Sequence, residues 1–354
     1  MKIEEVDKNF KIETKLDLPN VMFYDPKCEP FKIYGVKHEN GLYRRMPEDI
    51  AAALNPSILY LSKNTAGGRV KFRTNSPYVA ISAKCSPHHM THMAAIGSHG
   101  FDLYIGKSER FRASLRPPFE MVDGFESVAK FDSRRMREIT INFPLYTDVS
   151  EVFIGLSKDA KILPTEGYKY EKPIVFYGSS ITQGGCASRP GNSYQGFISR
   201  ALNTNYTNLG FSGNAKGEDL MAEYIAELDM SIFVYDYDYN APSLEHIEAT
   251  HERMFKIIRE KNPTLPIIIM TRPRYWLKPY ECDRFAVIRR TYDNAVASGD
   301  ENVYFISGHD LMKHAKYDGL VDDAHPTDLG FYSMAKTMIP VIKKILEEKQ
   351  NEAR

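Results

Sequence analysis

The residues best suited to chemistry stand at the end of an apolar run. In Ile174-Val-Phe-Tyr-Gly178-Ser179-Ser180-Ile-Thr182-Gln-Gly-Gly185 a strand-like segment delivers a serine straight into a glycine-bearing turn. A serine presented this way becomes a nucleophile when a base lies within hydrogen-bond reach. Near the end of the chain, Asp322-Asp-Ala-His325-Pro places a carboxylate and an imidazole three positions apart. His325 would take the proton of Ser180, and Asp322, on the far ring nitrogen, would fix the tautomer. The chemistry these residues imply is ester hydrolysis by a serine. Asp323 is a second carboxylate beside Asp322 and reads as a solvated loop residue.

Such residues need a scaffold, and the sequence changes character near position 165. Before it come short β-rich runs at 31–36, 69–73, 78–83, 101–105 and 139–143, separated by turn signals such as Asn40-Gly41, Gly67-Gly68 and Pro117-Pro118. That spacing predicts an antiparallel β-sandwich. After it, apolar runs at 174–177, 206–209, 232–236, 267–270 and 303–306 alternate with helical patterns, which predicts a parallel sheet covered by helices on both faces. Ser243 is read as an N-cap, and 328–348 as a final amphipathic helix. The predicted domains are 1–165 and 166–354. In a parallel sheet of this kind ligands bind beyond the carboxyl ends of the strands, which directs attention to Gly178-Ser-Ser180, Gly210-Phe-Ser-Gly213-Asn214 and Asp236-Tyr-Asp-Tyr-Asn240. The fourth strand runs into Thr271-Arg-Pro-Arg274, where Arg272 and Arg274, like Arg189, read as surface arginines.

Composition narrows the function classes. The chain has 354 residues, enough for two cores, and Lys plus Arg balance Asp plus Glu at 46 each. A balanced charge lacks the basic field that nucleic acid or anionic membranes require, so small or neutral partners are expected. Cys28, Cys85, Cys186 and Cys282 have no CxxC or framework spacing and read as free thiols. The charged start Met1-Lys-Ile-Glu-Glu-Val-Asp-Lys does not resemble a secretory signal and no apolar run approaches spanning length, so the expected location is cytoplasmic. No cofactor and no metal is expected.

Ester hydrolysis also needs donors where the carbonyl oxygen becomes negative, and a glycine N–H with a side-chain amide supplies them without net charge. Gly213 and Asn240 fit that role, with Gly210 a rival glycine upstream and an Asx-turn before Pro242 a rival use of Asn240. Gly178-Ser-Ser180, Gly213, Asn240 and Asp322-x-x-His325 occur in the order of the four blocks of the SGNH, or GDSL-like, hydrolases, and the C-terminal half resembles that family throughout. The resemblance implies a flavodoxin-like three-layer α/β/α domain, with Ser180 as nucleophile, Asp322 and His325 as its partners, and Ser180 N–H, Gly213 N–H and the Asn240 amide as oxyanion hole. Two positions depart from the family pattern: Ser179 stands where an aspartate is usual, and Asp238-Tyr-Asn240-Ala241 lacks the usual leading glycines and trailing aspartate. Gly100-Phe-Asp-Leu-Tyr104 resembles the GxDLY signature of β-sandwich, jelly-roll-like domains that precede the hydrolase domain in some bacterial esterases. That resemblance implies O-acetyl esters of carbohydrates as substrates, with aromatic faces around Tyr235, Tyr237, Tyr239, Tyr275 and Trp276 on which a sugar could stack.

The remaining constellations are less suited to chemistry. His88, His89 and His92 would suit a metal on a helix, but Pro87 and the β-rich surroundings argue for a loop. That loop, with His88 and His92, is instead a candidate for shaping substrate access. His246 and His251 read as packing residues on a helix, and Asp236-Tyr-Asp-Tyr239 as a strand end rather than a cation site. An α/β-hydrolase elbow is disfavoured because position 182 is Thr where Gly-x-Ser-x-Gly needs glycine. The alternatives are a general short-chain carboxylesterase or thioesterase and a non-catalytic carbohydrate-binding protein. The added sandwich offers surface for a homo-oligomer.

Overall fold

Strands that are apolar on both faces demand cover on both faces, and the second half of the chain supplies it. In the computed structural model, which describes residues 15–18, 20–87 and 90–352, five parallel strands lie in the spatial order Thr204–Gly210, Tyr170–Gly178, Ile232–Asp236, Ile267–Met270, Val303–Ile306. On one face Val175, Tyr177, Phe233, Tyr235, Ile267 and Ile269 pack against helices Asp219–Ala226, Leu244–Lys261 and Pro279–Ala297. On the other, Phe176 meets Tyr194 edge-on and Tyr194 stacks on Phe331, which brings helices Tyr194–Leu202 and Asp328–Glu352 over the sheet. This is the expected three-layer α/β/α arrangement. The first strand in sequence lies second in space, so its carboxyl end is the point where the strand order reverses and a crevice opens.

The chain divides into two compact units, and the division is not the simple cut at 165/166. Residues 46–62 belong with the parallel sheet. Glu48-Asp-Ile-Ala-Ala-Ala-Leu54 is helix-favouring, with acidic residues in its first turn. It and the next helix, Pro56–Ser62, bury Ala51, Ile58 and Leu61 in the same core as Ala222 and Ile225. In return, Ser188–Gly191 belong with the first unit.

That first unit is a pair of antiparallel sheets closed on one core. One sheet runs Val21–Tyr24, Val149–Ser157, Tyr78–Cys85, Gly124–Lys130. The other runs Ile162–Leu163, Arg69–Thr74, Arg137–Asn142, Phe101–Ile105, Arg110–Leu115, with Lys32–Tyr34 also paired to Arg69–Thr74. Val70, Phe72, Leu103, Ile139 and Ile141 of the second sheet meet Val79, Ile81, Val152 and Ile154 of the first. Asn40 and Gly41, both at positive φ, form the turn between Lys37–Glu39 and Leu42–Arg44. Val149–Ser157 does not alternate in burial, because the register shifts between Val149 and Glu151 and Val152–Leu156 are buried without a break, so it is not among the β-rich runs read from the sequence. Arg110–Leu115 is not among them either, because its apolar residues are interspersed with charges at a partly exposed edge.

Among the described residues no helix is long and apolar enough to cross a membrane. The four cysteines are unpaired.

His251, on the buried face of Leu244–Lys261, stacks on Tyr235 with ring centroids 4.4 Å apart and shares a hydrogen bond of 2.8 Å between Nδ1 and Thr291 Oγ1. Burial pushes its pKa down to about 3, against the charges of Asp238 and Glu252. The folded chain therefore refuses a proton that the unfolded chain accepts below its ordinary pKa of about 6.5, and stability falls as pH drops from there toward 3. Denaturant unfolding at pH 7 and pH 5 should show the wild-type protein losing about 2 kcal/mol more than His251→Gln over that interval. Equal losses would contradict the assignment.

Candidate active site

Ser180 opens the short helix Ser180–Gln183 directly after the first parallel strand, and Ser179 caps it by accepting from the Ile181 N–H at 3.2 Å. The turn is squeezed between neighbouring strand ends. A Cβ at Gly178 would stand 2.6 Å from the Asp236 carbonyl oxygen, and one at Gly210 would collide with the backbone nitrogen of Gln183. Gly210 is therefore a packing glycine, which separates it from Gly213. Beneath the turn, the Thr182 hydroxyl donates to Asp236 Oδ2 at 2.7 Å. The Thr182 carbonyl accepts from Gln195 Nε2 and Asn208 Nδ2, each at 2.7 Å. Burial pushes the Asp236 carboxyl up to about 7 against the Thr182 bond, with the Asp238 charge adding to the rise.

The loop 320–327 brings His325 to this serine. Ser180 Oγ lies 2.9 Å from His325 Nε2, and His325 Nδ1 lies 2.9 Å from Asp322 Oδ2. Asp322 Oδ1 also accepts the backbone N–H groups of His325 at 2.7 Å and Ala324 at 2.8 Å. Partial burial raises the carboxyl, but these two N–H donors and then the imidazole outweigh it and hold the pKa at about 2. An ionised Asp322 on Nδ1 leaves Nε2 as the acceptor facing Ser180. Asp323 turns the other way, to Lys278 Nζ at 2.6 Å, so it does not orient His325. Cys186 carries a thiol pushed up to about 12 by burial and then by the charge of Asp322, and so offers no competing thiolate.

Two further turns lie at the carboxyl ends of the flanking strands. After Thr204–Gly210, the N–H of Asn214 closes a turn on the Phe211 carbonyl at 2.9 Å, with Gly213 at φ 70°, a conformation that favours glycine. The turn is pinned on both sides: Gln183 Oε1 accepts from Ser212 N–H at 3.1 Å, and Asn240 Oδ1 accepts from Ala215 N–H at 3.2 Å. Asn240 is thus not an Asx-turn residue. With its oxygen engaged, the amide presents Nδ2 as a donor.

Sequence reasoning missed the support of the Asn240 turn. Arg272 and Arg274 are 5% and 4% exposed and are not surface arginines. Arg272 grips the buried Asp238 through Nε at 3.0 Å and Nη2 at 2.6 Å, and also Glu281 at 2.8 Å. Arg284 donates to the carbonyls of Asp238 and Ala241, at 3.1 and 2.9 Å, and so clamps the turn that carries Asn240. Arg274 continues the chain, 3.3 Å from Glu281 and hydrogen-bonded to the Asp323 carbonyl beside Asp322. A basic residue following a strand end, with a glutamate nine positions on from Arg272, was the available signal. Tyr235 and Tyr237 are fully buried, which removes them as sugar platforms, whereas Trp276 is exposed and Tyr275 partly so. His88 and His89 lie outside the described residues, and His92 is exposed in a loop of the first unit.

Removing the glycines separates their roles. Gly210→Ala is expected to lower the melting temperature by several degrees and cut turnover, because its Cβ meets immovable backbone. Gly213→Ala, with nothing within 4 Å of the new Cβ, should cost about 1 kcal/mol from its left-handed φ alone. Thermal melts of both variants check this, and a milder effect at 210 than at 213 would contradict it.

Comparison with known proteins places this geometry. Residues 171–343 match the model of the GDSL-like lipase/acylhydrolase family, and residues 21–162 match that of GxDLY, the N-terminus of SGNH-hydrolase-type esterases. Curated proteins give no significant match. Among solved structures, a protein described as a GDSL-like lipase from Bacteroides ovatus is 29% identical, with 93% of this chain and 98% of that chain covered and a TM-score of 0.84. A salicylyl-acyltransferase of a tetracycline biosynthetic pathway is 17% identical over 90% and 96% of the two chains, with a TM-score of 0.72. An acetyl xylan esterase from the rumen bacterium Butyrivibrio proteoclasticus is 13% identical over 93% and 99%, with a TM-score of 0.63. The chain belongs to the SGNH, or GDSL-like, hydrolases and carries a GxDLY-type β-sandwich at its N-terminal side.

Proposed function

We propose that the protein hydrolyses short acyl esters, foremost O-acetyl groups of sugars or oligosaccharides, through a covalent acyl-enzyme on Ser180. The observation that carries this reading is the continuous relay from Ser180 Oγ through His325 to an ionised Asp322 at the switch point of the parallel sheet. His325 Nε2 takes the hydroxyl proton while Ser180 Oγ bonds to the ester carbonyl carbon. The oxygen that becomes negative is held by the N–H groups of Ser180 and Gly213 and by Asn240 Nδ2. When the tetrahedral adduct collapses, the C–O bond to the alcohol breaks and His325 returns the proton to the departing oxygen. Water then gives a proton to His325 and attacks the acyl group, and Ser180 leaves with that proton restored.

Two features favour a sugar alcohol. The fold is shared with an acetyl xylan esterase, and Trp276 with Tyr275 forms an outward aromatic pair, 4.9 Å between ring centroids, on the loop that also carries Arg274 and Lys278, which hold Asp323. The likeness to an acyltransferase makes the acceptor a second question, water or another alcohol. Acetate release from acetylated xylo-oligosaccharides, compared with p-nitrophenyl acetate and butyrate and repeated with a sugar acceptor present, answers both. The expected result is preference for acetyl over butyryl, higher kcat/KM on the oligosaccharide, and free acetate as product. Ser180→Ala should abolish turnover, and Asn240→Ala should lower kcat about 10²-fold or more. Activity in Ser180→Ala equal to wild type would end the proposal, and equal rates on acetyl and butyryl esters with no gain on the sugar would favour a general carboxylesterase.

A further inference from the structure

The chain leaves the second unit after Ala187, contributes Ser188–Gly191 to the first, and returns at Asn192. What receives those four residues is the signature strand Phe101–Ile105. Phe101 and Leu103 enter the sandwich core, and strand alternation turns Asp102 and Tyr104 to the opposite face. Asp102 is fully buried. Its Oδ1 accepts from Asn142 Nδ2 at 2.7 Å, and its Oδ2 accepts from the Gly191 N–H at 2.9 Å and from Arg189 Nη1 at 3.4 Å. Arg189 Nη1 also donates to the Tyr104 hydroxyl, and its guanidinium lies 3.9 Å from the centre of the Phe111 ring. Only glycine fits at 191, because a Cβ there would collide with the Tyr104 hydroxyl.

A sandwich core needs apolar residues at 101 and 103 but no carboxylate at 102 and no hydroxyl at 104. A buried carboxylate is costly unless it is paired and hydrogen-bonded, and here the segment 188–191 supplies much of that partnership. We infer that Gly100-Phe-Asp-Leu-Tyr104 is a clamp that fixes the path of 188–191 and thereby the two segments joined to it. One is the segment that begins at Ser180. The other is Asn192, whose Nδ2 donates to Asp328 Oδ2 at 2.7 Å, just after the His325 loop. Asp102, Tyr104 and Arg189 are then positioning residues for the reaction. The clamp itself stands on geometry alone, and its effect on turnover rests on the reading of Ser180 and His325 given above.

The test combines amide hydrogen exchange over residues 180–192 with kcat and KM on p-nitrophenyl acetate, in the full-length wild-type protein, Asp102→Ala, Asp102→Asn and Tyr104→Phe. Asp102→Ala should speed exchange of the Gly191 amide and its neighbours and lower kcat about 10-fold or more with KM within about twofold, since a displaced reacting group loses rate rather than binding. Asp102→Asn should recover much of both, because its carbonyl can still accept the Gly191 N–H once Asn142 turns its amide. Tyr104→Phe, which removes one hydroxyl, should fall between. If Asp102→Ala does not fold, the other two variants carry the same comparison. Exchange at 180–192 equal to wild type overturns the clamp, and faster exchange with unchanged kcat overturns its positioning role. A wild-type protein inactive on the ester counts against the hydrolase reading instead, and the exchange result still decides the clamp.

Discussion

The turn that carries Ser180 exists only because two strand ends leave no room for side chains. Gly178 and Gly210 let the backbone of 180–183 settle onto its neighbours, and everything that orients Ser180 follows from that closeness. The Thr182 carbonyl can then take two side-chain amides, its hydroxyl can reach Asp236, and Gln183 can hold the turn that carries Gly213. The serine is thus held by the backbone of the sheet, and its partners are held by one another.

Those partners are fixed by charge. A line of buried ions runs from Asp238 through Arg272 and Glu281 to Arg274 and ends on the exposed Asp323, from the turn of Asn240 to the loop of His325. Buried ions of this kind add little stability relative to apolar packing, but stranding one of them costs about 3–5 kcal/mol. The arrangement admits one geometry and penalises others. A site that must place a base on one side of a carbonyl and oxyanion donors on the other benefits from such a rigid link.

The candidate site residues were legible in the sequence because Ser180, Gly213 and Asn240 come in blocks after strand ends while Asp322 and His325 share one short block near the end of the chain, and the strands 232–236, 267–270 and 303–306 carry the bounds read from their apolar runs. The helices of 46–62 were not legible as part of the second unit, since their partner residues, such as Ala222 and Ile225, lie far along the chain. Arg272 and Arg274 read as surface residues because charge in a sequence implies exposure until its partner is known, and Asp238 and Glu281 are partners that only the fold reveals. The tyrosines 235 and 237 misled in the opposite direction, since an aromatic face is useful to a sugar only when it is exposed, and the sheet core takes both.

The account stands on Ser180 being the group that bonds to the acyl carbon, and a serine-directed organophosphonate followed by peptide mapping tests that most directly. One phosphonyl group per chain, carried by the peptide that contains Ser180 and absent from His325→Ala under the same conditions, is the result predicted. No incorporation, or a label on another residue with Ser180 unmodified, would contradict it.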